Sequence, residues 1–112
     1  MENRLLNRYS LDEFPKIIPT VLLILPDKQE IESQLVDINS HGLKLSIPPT
    51  PLPLSIPRKA ETAEVVLQGS RLRLTCRCIY STYNPDGSMF MGMHVFDPHQ
   101  QDLLRAFLEE CE

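Results

Sequence analysis

The 112-residue sequence contains no tryptophan, only four glycines and three cysteines, and no long run of apolar residues. Its most apolar stretch, residues 17–25, is nine residues long and is interrupted by a proline, so it is too short to span a bilayer. The cysteines, Cys76, Cys78 and Cys111, are an odd number without the spacing of a disulfide framework, which indicates free thiols in a reducing compartment. The N-terminus also lacks the apolar core of a secretory signal. These absences predict a soluble, cytoplasmic protein without membrane insertion.

The sequence also lacks a basic excess, since 11 Lys and Arg stand against 15 Asp and Glu, a net charge of −4. Residues 97–112 hold five of the acids and a single base, so the charges of the remaining chain cancel. Nucleic-acid binding requires a basic stripe, and the sequence therefore predicts no DNA or RNA partner. A small anionic ligand would have to be bound by a few locally placed arginines.

Catalytic and metal-binding motifs are missing as well. There is no Gly-x-Ser-x-Gly, no His-Glu-x-x-His and no P-loop, so we expect no enzyme activity. The histidines have no zinc-like spacing with the cysteines, so neither a metal nor a cofactor is predicted. Met89, Met91 and Met93 beside His94 suggest a soft-ligand copper(I) site as an alternative. Their period of two places all three on one face of a strand, which favours core packing.

Short strand patterns separated by turn signals make up most of the sequence. Alternation of apolar and polar residues is the main evidence for these strands. In residues 20–25, apolar side chains occupy both faces, which indicates a strand that is covered on both sides. Hairpin-like connections between strands of this length favour a small antiparallel barrel. We therefore predict an all-β fold with one C-terminal helix, built as a six-stranded antiparallel β-barrel. The predicted strands are 20–25, 30–37, 43–47, 63–67, 71–80 and 88–96.

A helix is predicted over residues 98–111. Asp97 is a good N-cap, Pro98 suits the first helical position, and Gln100 would complete a capping box. An apolar stripe runs along one face, and we expect it to pack on the outer wall of the barrel. The stripe consists of Leu103, Leu104, Phe107, Leu108 and Cys111.

The sequence also predicts an extended loop and two buried cysteines. Residues 48–57 contain five prolines, which cannot donate to a sheet ladder, and predict an ordered extended loop attached to the body by Leu52, Leu54 and Ile56. Cys76 and Cys78 share a strand face with apolar residues, which predicts that they are buried as small hydrophobic side chains.

The segment from Asp37 to Gly42 carries more polar residues than a two-residue hairpin turn requires. Asp37 and Asn39 can bond neighbouring backbone groups, and Gly42 can supply a positive φ angle. These residue types predict a wide hairpin loop whose side chains satisfy their own turn.

The same segment resembles the second signature of PilZ domains, Asp/Asn-x-Ser-x-x-Gly, which lies between two strands. Asp37 matches its first position, Gly42 its last, and Asn39 stands where the family has Ser. Upstream, Arg4-LLN-Arg8 resembles the first signature, Arg-x-x-x-Arg, and residues 92–96 (GMHVF) resemble the closing strand of the family. The resemblance covers essentially the whole chain and implies a PilZ-like split β-barrel, residues 17–112, preceded by an N-terminal arm, residues 1–16.

The resemblance further implies a bacterial cyclic di-GMP (c-di-GMP) receptor or adaptor in second-messenger signalling, with an unidentified protein partner. The ligand would bind between the arm and the Asp37–Gly42 loop, where arginines offer planar donors to phosphate and guanine. A second alignment places Asp12 and Lys16 on the two arginine positions, and both alignments stay open. In the alternative function, a degenerate PilZ domain binds no ligand and acts as a protein-interaction module through the 48–57 loop or the acidic helix. The candidate ligand-binding residues are Arg4, Arg8, Lys16, Asp37, Asn39, Ser40 and Gly42.

Overall fold

The computed structural model describes residues 16–49, 56–70 and 72–111 and the backbone of residues 9–10. The predictions for Arg4, Arg8, Asp12, Leu52 and Leu54 lie outside these residues. The elements are β1 (Tyr9–Ser10), β2 (Thr20–Ile24), β3 (Glu30–Asn39), β4 (Gly42–Ile47), β5 (Thr62–Leu67), β6 (Leu72–Tyr83), β7 (Met89–Val95) and α1 (Pro98–Cys111).

Six of the strands form a closed antiparallel barrel. Neighbouring strands follow the order β3-β2-β5-β6-β7-β4, and β4 pairs back with β3 to complete the circle. The short β1 pairs with β3 beside this circle. Because the barrel is closed, each strand has a neighbour on both sides. A strand has an unpaired edge only where it is longer than its neighbour. The structure confirms the predicted six-stranded antiparallel barrel with one C-terminal helix.

Alternating apolar side chains fill the barrel interior. In β4, Leu43, Leu45 and Ile47 are buried, whereas Lys44 and Ser46 are half-buried on the outer face. The three methionines of β7 are likewise buried within the main hydrophobic cluster. This burial favours their interpretation as core side chains over the copper(I) hypothesis.

Two buried cysteines belong to the same interior. Burial raises the pKa of the Cys76 thiol to about 12. Burial, and secondarily the charge of Glu61, also raises the pKa of Cys78. Both groups therefore stay neutral and pack as small hydrophobic side chains, as the sequence predicts.

The helix α1 lies across one end of the barrel. It contacts β3 and β6, which are opposite each other in the strand order, and Leu104, Leu108 and Cys111 join the interior cluster. The predicted position on the outer wall is therefore wrong, because the open end of the barrel exposes apolar side chains that the stripe can cover. Among the described residues, no helix is long and apolar enough to cross a membrane.

The first turn of α1 ties the helix to the sheet. Asp97 Oδ1 accepts a hydrogen bond from His99 N at 2.9 Å, which confirms the predicted N-cap. Gln100 does not complete a capping box, because its Oε1 accepts from Thr75 N of β6 at 2.8 Å. Thr75 lies just beyond the β6–β7 ladder, which begins at Cys76, so the side chain replaces a missing strand partner.

Candidate functional site

The connection between β3 and β4 is a tight turn. Asn39 pairs with Gly42, so only Ser40 and His41 lie between the strands. Asp37 belongs to β3, where its Cα partner is Lys44. The predicted wide loop over residues 37–42 is therefore wrong, because the strand pairing continues almost to the turn.

A β-bulge in β3 sets the direction of Asp37. Ile31, Ser33 and Leu35 are buried, and strict alternation would also turn residue 37 inward. The register shifts between Leu35 and Asp37, so that Ile38 is the next buried residue and Asp37 shares the outer face with Lys44. A bulge re-aims side chains in this way and is often found at functional sites. It places the half-buried side chain of Asp37 on the outer face of the barrel wall.

Side chains of the turn bind their own backbone and the neighbouring strand. Asn39 Oδ1 accepts from His41 N at 2.9 Å, and Ser40 Oγ lies 3.0 Å from His41 Nδ1. The carbonyl of His41 accepts from Val95 N at 2.8 Å and lies 3.0 Å from His94 Nδ1. These contacts fix the turn against the end of β7.

Gly42 is required by a close approach between strands. A Cβ atom at this position would lie 2.8 Å from the Met93 carbonyl oxygen of β7. The glycines with positive φ among the described residues are Gly69 and Gly87. The prediction that Gly42 supplies a positive φ angle is therefore wrong, and its role is to let β4 pair with β7 at this point.

Asp37 has an unmet hydrogen-bonding capacity. Its Oδ1 atom is buried and has no hydrogen-bond partner among the described residues. The cross-strand neighbour Lys44 does not neutralise it, because Lys44 Nζ lies over the ring of Phe90, 4.6 Å from the centroid. An unpaired buried acceptor costs about 1–3 kcal/mol. The site therefore retains a carboxylate oxygen that a bound donor could satisfy.

The strand β1 runs directly beside this carboxylate. Ser10 pairs with Asp37 and Tyr9 pairs with Ile38 in antiparallel register. In the sequence, Arg8 immediately precedes Tyr9, although Arg8 itself lies outside the described residues. The backbone that follows the Arg-x-x-x-Arg segment therefore adjoins the segment that carries the second signature.

Lys16 lies exposed near the far end of α1. The pKa of Cys111 is raised by burial and by Glu110, and the positive charge of Lys16 acts against this rise. Within the described ranges, no ion pair joins Lys16 to Asp37. The structure thus brings Asp37, Asn39, Ser40 and Gly42 together at one turn and shows no contact of Lys16 with them.

Two features of this surface were not anticipated. Lys44 stands opposite Asp37, and Gly92 is covered by the ring of Tyr80, which a Cβ on Gly92 would overlap. Alternation in β4 indicates that Lys44 faces outward, but only the bulge in β3 pairs it with Asp37. A glycine inside a strand pattern signals a close approach, which could have indicated the Gly92 contact.

A metal centre has no support in the geometry of this part of the chain. Within the described residues, no three or more His, Cys, Asp or Glu side chains form a group that could hold a metal ion. In the described part of the chain, the turn offers hydrogen-bond acceptors, backbone groups and the nearby cation of Lys44.

Comparison with known proteins identifies the fold. No protein-family model matches the chain, and no curated protein matches it in sequence. The chain is similar to the crystal structure of YcgR in complex with c-di-GMP from Escherichia coli, with a TM-score of 0.59 and 12% identity. The match covers 98% of this chain and 46% of YcgR, so the chain spans about half the length of that protein. The likeness establishes a PilZ-like fold.

Proposed function

We propose that the protein is a c-di-GMP receptor or adaptor of bacterial second-messenger signalling. The observation that carries the proposal is the buried Oδ1 atom of Asp37, which has no hydrogen-bond partner among the described residues and lies in the strand that pairs with β1. The PilZ-like fold supports it, since YcgR forms a complex with c-di-GMP.

Guanine supplies the donors that Asp37 lacks. Its N1–H and exocyclic amine can donate to a carboxylate, while arginine donates in parallel to the N7/O6 edge or to phosphate. Arg8 and Arg4 are the candidates for these contacts, because the chain that follows them pairs with the Asp37 segment. Binding would join the N-terminal segment to the barrel wall, and a partner protein would recognise the changed surface.

Calorimetric titration of c-di-GMP tests this proposal. Wild type and Lys16→Ala should release binding heat, whereas Arg8→Ala and Arg4→Ala should each weaken binding at least about tenfold, since each removes charge-assisted hydrogen bonds. Arg105→Ala is the matched control, because Arg105 is an exposed helix residue paired with Asp102. Absence of heat for the wild type would contradict the receptor function. Loss of binding in Lys16→Ala alone would instead favour the second alignment.

Asp37→Asn should separate ligand binding from stability. The substitution replaces a carboxylate oxygen without partners by an amide, so the midpoint of thermal unfolding should stay the same or rise. Binding of c-di-GMP should weaken at least about tenfold, because the amide presents a donor to the donors of guanine. Glu30→Gln, at an exposed position of the same strand, is the control for charge. Unchanged affinity in Asp37→Asn would remove Asp37 from the site.

The alternative function, a PilZ-like module that binds no c-di-GMP and acts through protein contacts, is favoured by a specific observation. Asn39 and Ser40 bond within their own turn, and Gly42 is explained by its approach to Met93. These contacts account for part of the second signature without a ligand. The titration above decides between the two functions.

A further inference from the structure

Strand β6 is longer than the partner on one of its sides. Its pairing with β5 ends at Arg77. Two further backbone hydrogen bonds join Cys78 to Ala60 and Glu61, which lie just before β5 in the chain. Residues Tyr80–Tyr83 continue to pair with β7 on the other side. In the described part of the chain, the β5 side of this last segment has no strand partner. As far as the described residues extend, the otherwise closed barrel therefore has a short open edge.

The backbone groups of Ser81 and Tyr83 point toward the open side. Asn84 N donates to Ser88 O across the β6–β7 hairpin at 2.8 Å, which directs Asn84 toward β7. Backbone groups of an antiparallel strand alternate between its two neighbours. Tyr83 and Ser81 therefore direct their N–H and C=O groups away from β7, and each offers one donor and one acceptor.

Exposed apolar side chains accompany this edge. Ile79 is 41% exposed and Tyr83 is 71% exposed, and they are two of the four exposed large hydrophobic residues among those described. Proteins usually protect an open edge with charges, prolines or a covering segment. An edge with exposed apolar residues is typical of a binding site for another chain.

A cleft of about 790 Å³ adjoins the edge at the barrel end opposite α1. Its lining includes Ser81 and Tyr83 of the edge together with Pro26 and Pro57. This volume falls in the usual range for binding sites. Because Pro26 and Pro57 line the cleft together with the edge, one extended chain could contact both, and it suits the cleft better than the edge of a second folded copy.

We propose that this edge binds an extended segment of a partner protein, which adds as a strand beside residues 79–83 of β6. Main-chain hydrogen bonds to Ser81 and Tyr83 would provide affinity, as in other cases of strand addition. An apolar side chain of the partner packs between Tyr83 and Pro57. Among the described residues, the charged side chains that line the cleft are Asp27, Glu61 and Arg58, so the complementary segment is basic rather than acidic.

A random heptapeptide library displayed on phage tests the proposal. Selection on the full chain should enrich peptides that alternate apolar with uncharged or basic residues. An enriched peptide should bind wild type and Ser81→Ala equally, because alanine keeps the backbone donor. Ser81→Pro removes the backbone N–H that points into the cleft and leaves the hydrogen bonds to β7 intact. The affinity of this variant for the peptide should therefore fall at least about tenfold.

Amide hydrogen exchange provides a second readout. In the free protein, the amides of Ser81 and Tyr83 should exchange faster than that of Thr82, and the peptide should slow them. Protection of both amides without peptide, failure to enrich any peptide, or equal binding by Ser81→Pro would each overturn the proposal. So would a dimer in sedimentation that Ser81→Pro dissociates, since the occupant would then be a second copy of the chain.

Discussion

Gly42 allows β4 to approach β7 closely because it has no Cβ atom. Glycine in a strand usually destabilises by about 0.5–1 kcal/mol relative to alanine, so an unconstrained Gly→Ala change would stabilise the fold. At residue 42 the new Cβ would lie 2.8 Å from the Met93 carbonyl oxygen, and both backbones belong to the β4–β7 ladder. We therefore expect Gly42→Ala to lower the free energy of unfolding by about 1–3 kcal/mol in urea titrations.

Ser46→Ala serves as the comparison, because Ser46 lies half-buried on the outer face of the same strand. It should change the free energy of unfolding by less than about 0.5 kcal/mol. If Gly42→Ala were as stable as the wild type, the strand-approach explanation would fail. A role for Gly42 in contact with a ligand would then be the better account.

At the scale of elements, the hydrogen bond between Gln100 and Thr75 joins α1 to β6. Gln100→Ala would leave a half-buried Thr75 N–H without its 2.8 Å acceptor, which should cost about 1–3 kcal/mol. The urea midpoint should fall at constant m-value, and the Thr75 amide should exchange faster. His99→Ala, an exposed change in the same helical turn that leaves the backbone capping bond in place, should have little effect. Continued protection of the Thr75 amide in Gln100→Ala would contradict this account.

Sequence patterns predict the elements better than their irregularities. Alternation identifies β4 and the buried methionines of β7, and the apolar stripe identifies α1. The bulge between Leu35 and Asp37 has no local signal, because it depends on which residues of β4 oppose it. The position of Asp37 on the outer face therefore required the three-dimensional pairing.

The sequence also does not predict how far each strand extends beside its neighbour. The sequence indicates a strand ending near Tyr80, whereas β6 extends to Tyr83 because β7 supplies partners that far. The predicted lengths of the two strands differ, but nothing in the local pattern shows that the pairing with β5 stops at Arg77 of β6. The candidate ligand site could thus be predicted by resemblance and the open edge of β6 could not.

At the scale of the whole molecule, the two proposed surfaces lie at opposite ends of one barrel. Gly42, in the turn after Asp37, pairs with His94 at one end of β7, and Tyr83 of the open edge pairs with Met89 at the other end. Packed apolar side chains between them form a single hydrophobic cluster. Ligand and partner could therefore bind at the same time, and Ser81→Pro should leave any c-di-GMP affinity unchanged.

The neutral Cys76 thiol in this core should make the fold less stable at alkaline pH. The pKa of Cys76 is about 12 in the folded protein, against an ordinary value of 9.0 that applies when the chain unfolds. Below pH 9 both states hold the proton, and the fold keeps its full stability. Above it only the unfolded state loses the proton readily, so Cys76 alone should lower the free energy of unfolding by about 1.4 kcal/mol per pH unit until its folded pKa is reached, and Cys78 and Cys111, whose pKa values are also raised, should add to this fall. Urea titrations between pH 7.5 and 10.5 would measure this slope. Cys76→Ala should be less stable at neutral pH but lose less stability over the same interval, and an equal loss in both proteins would assign the alkaline limit to other groups.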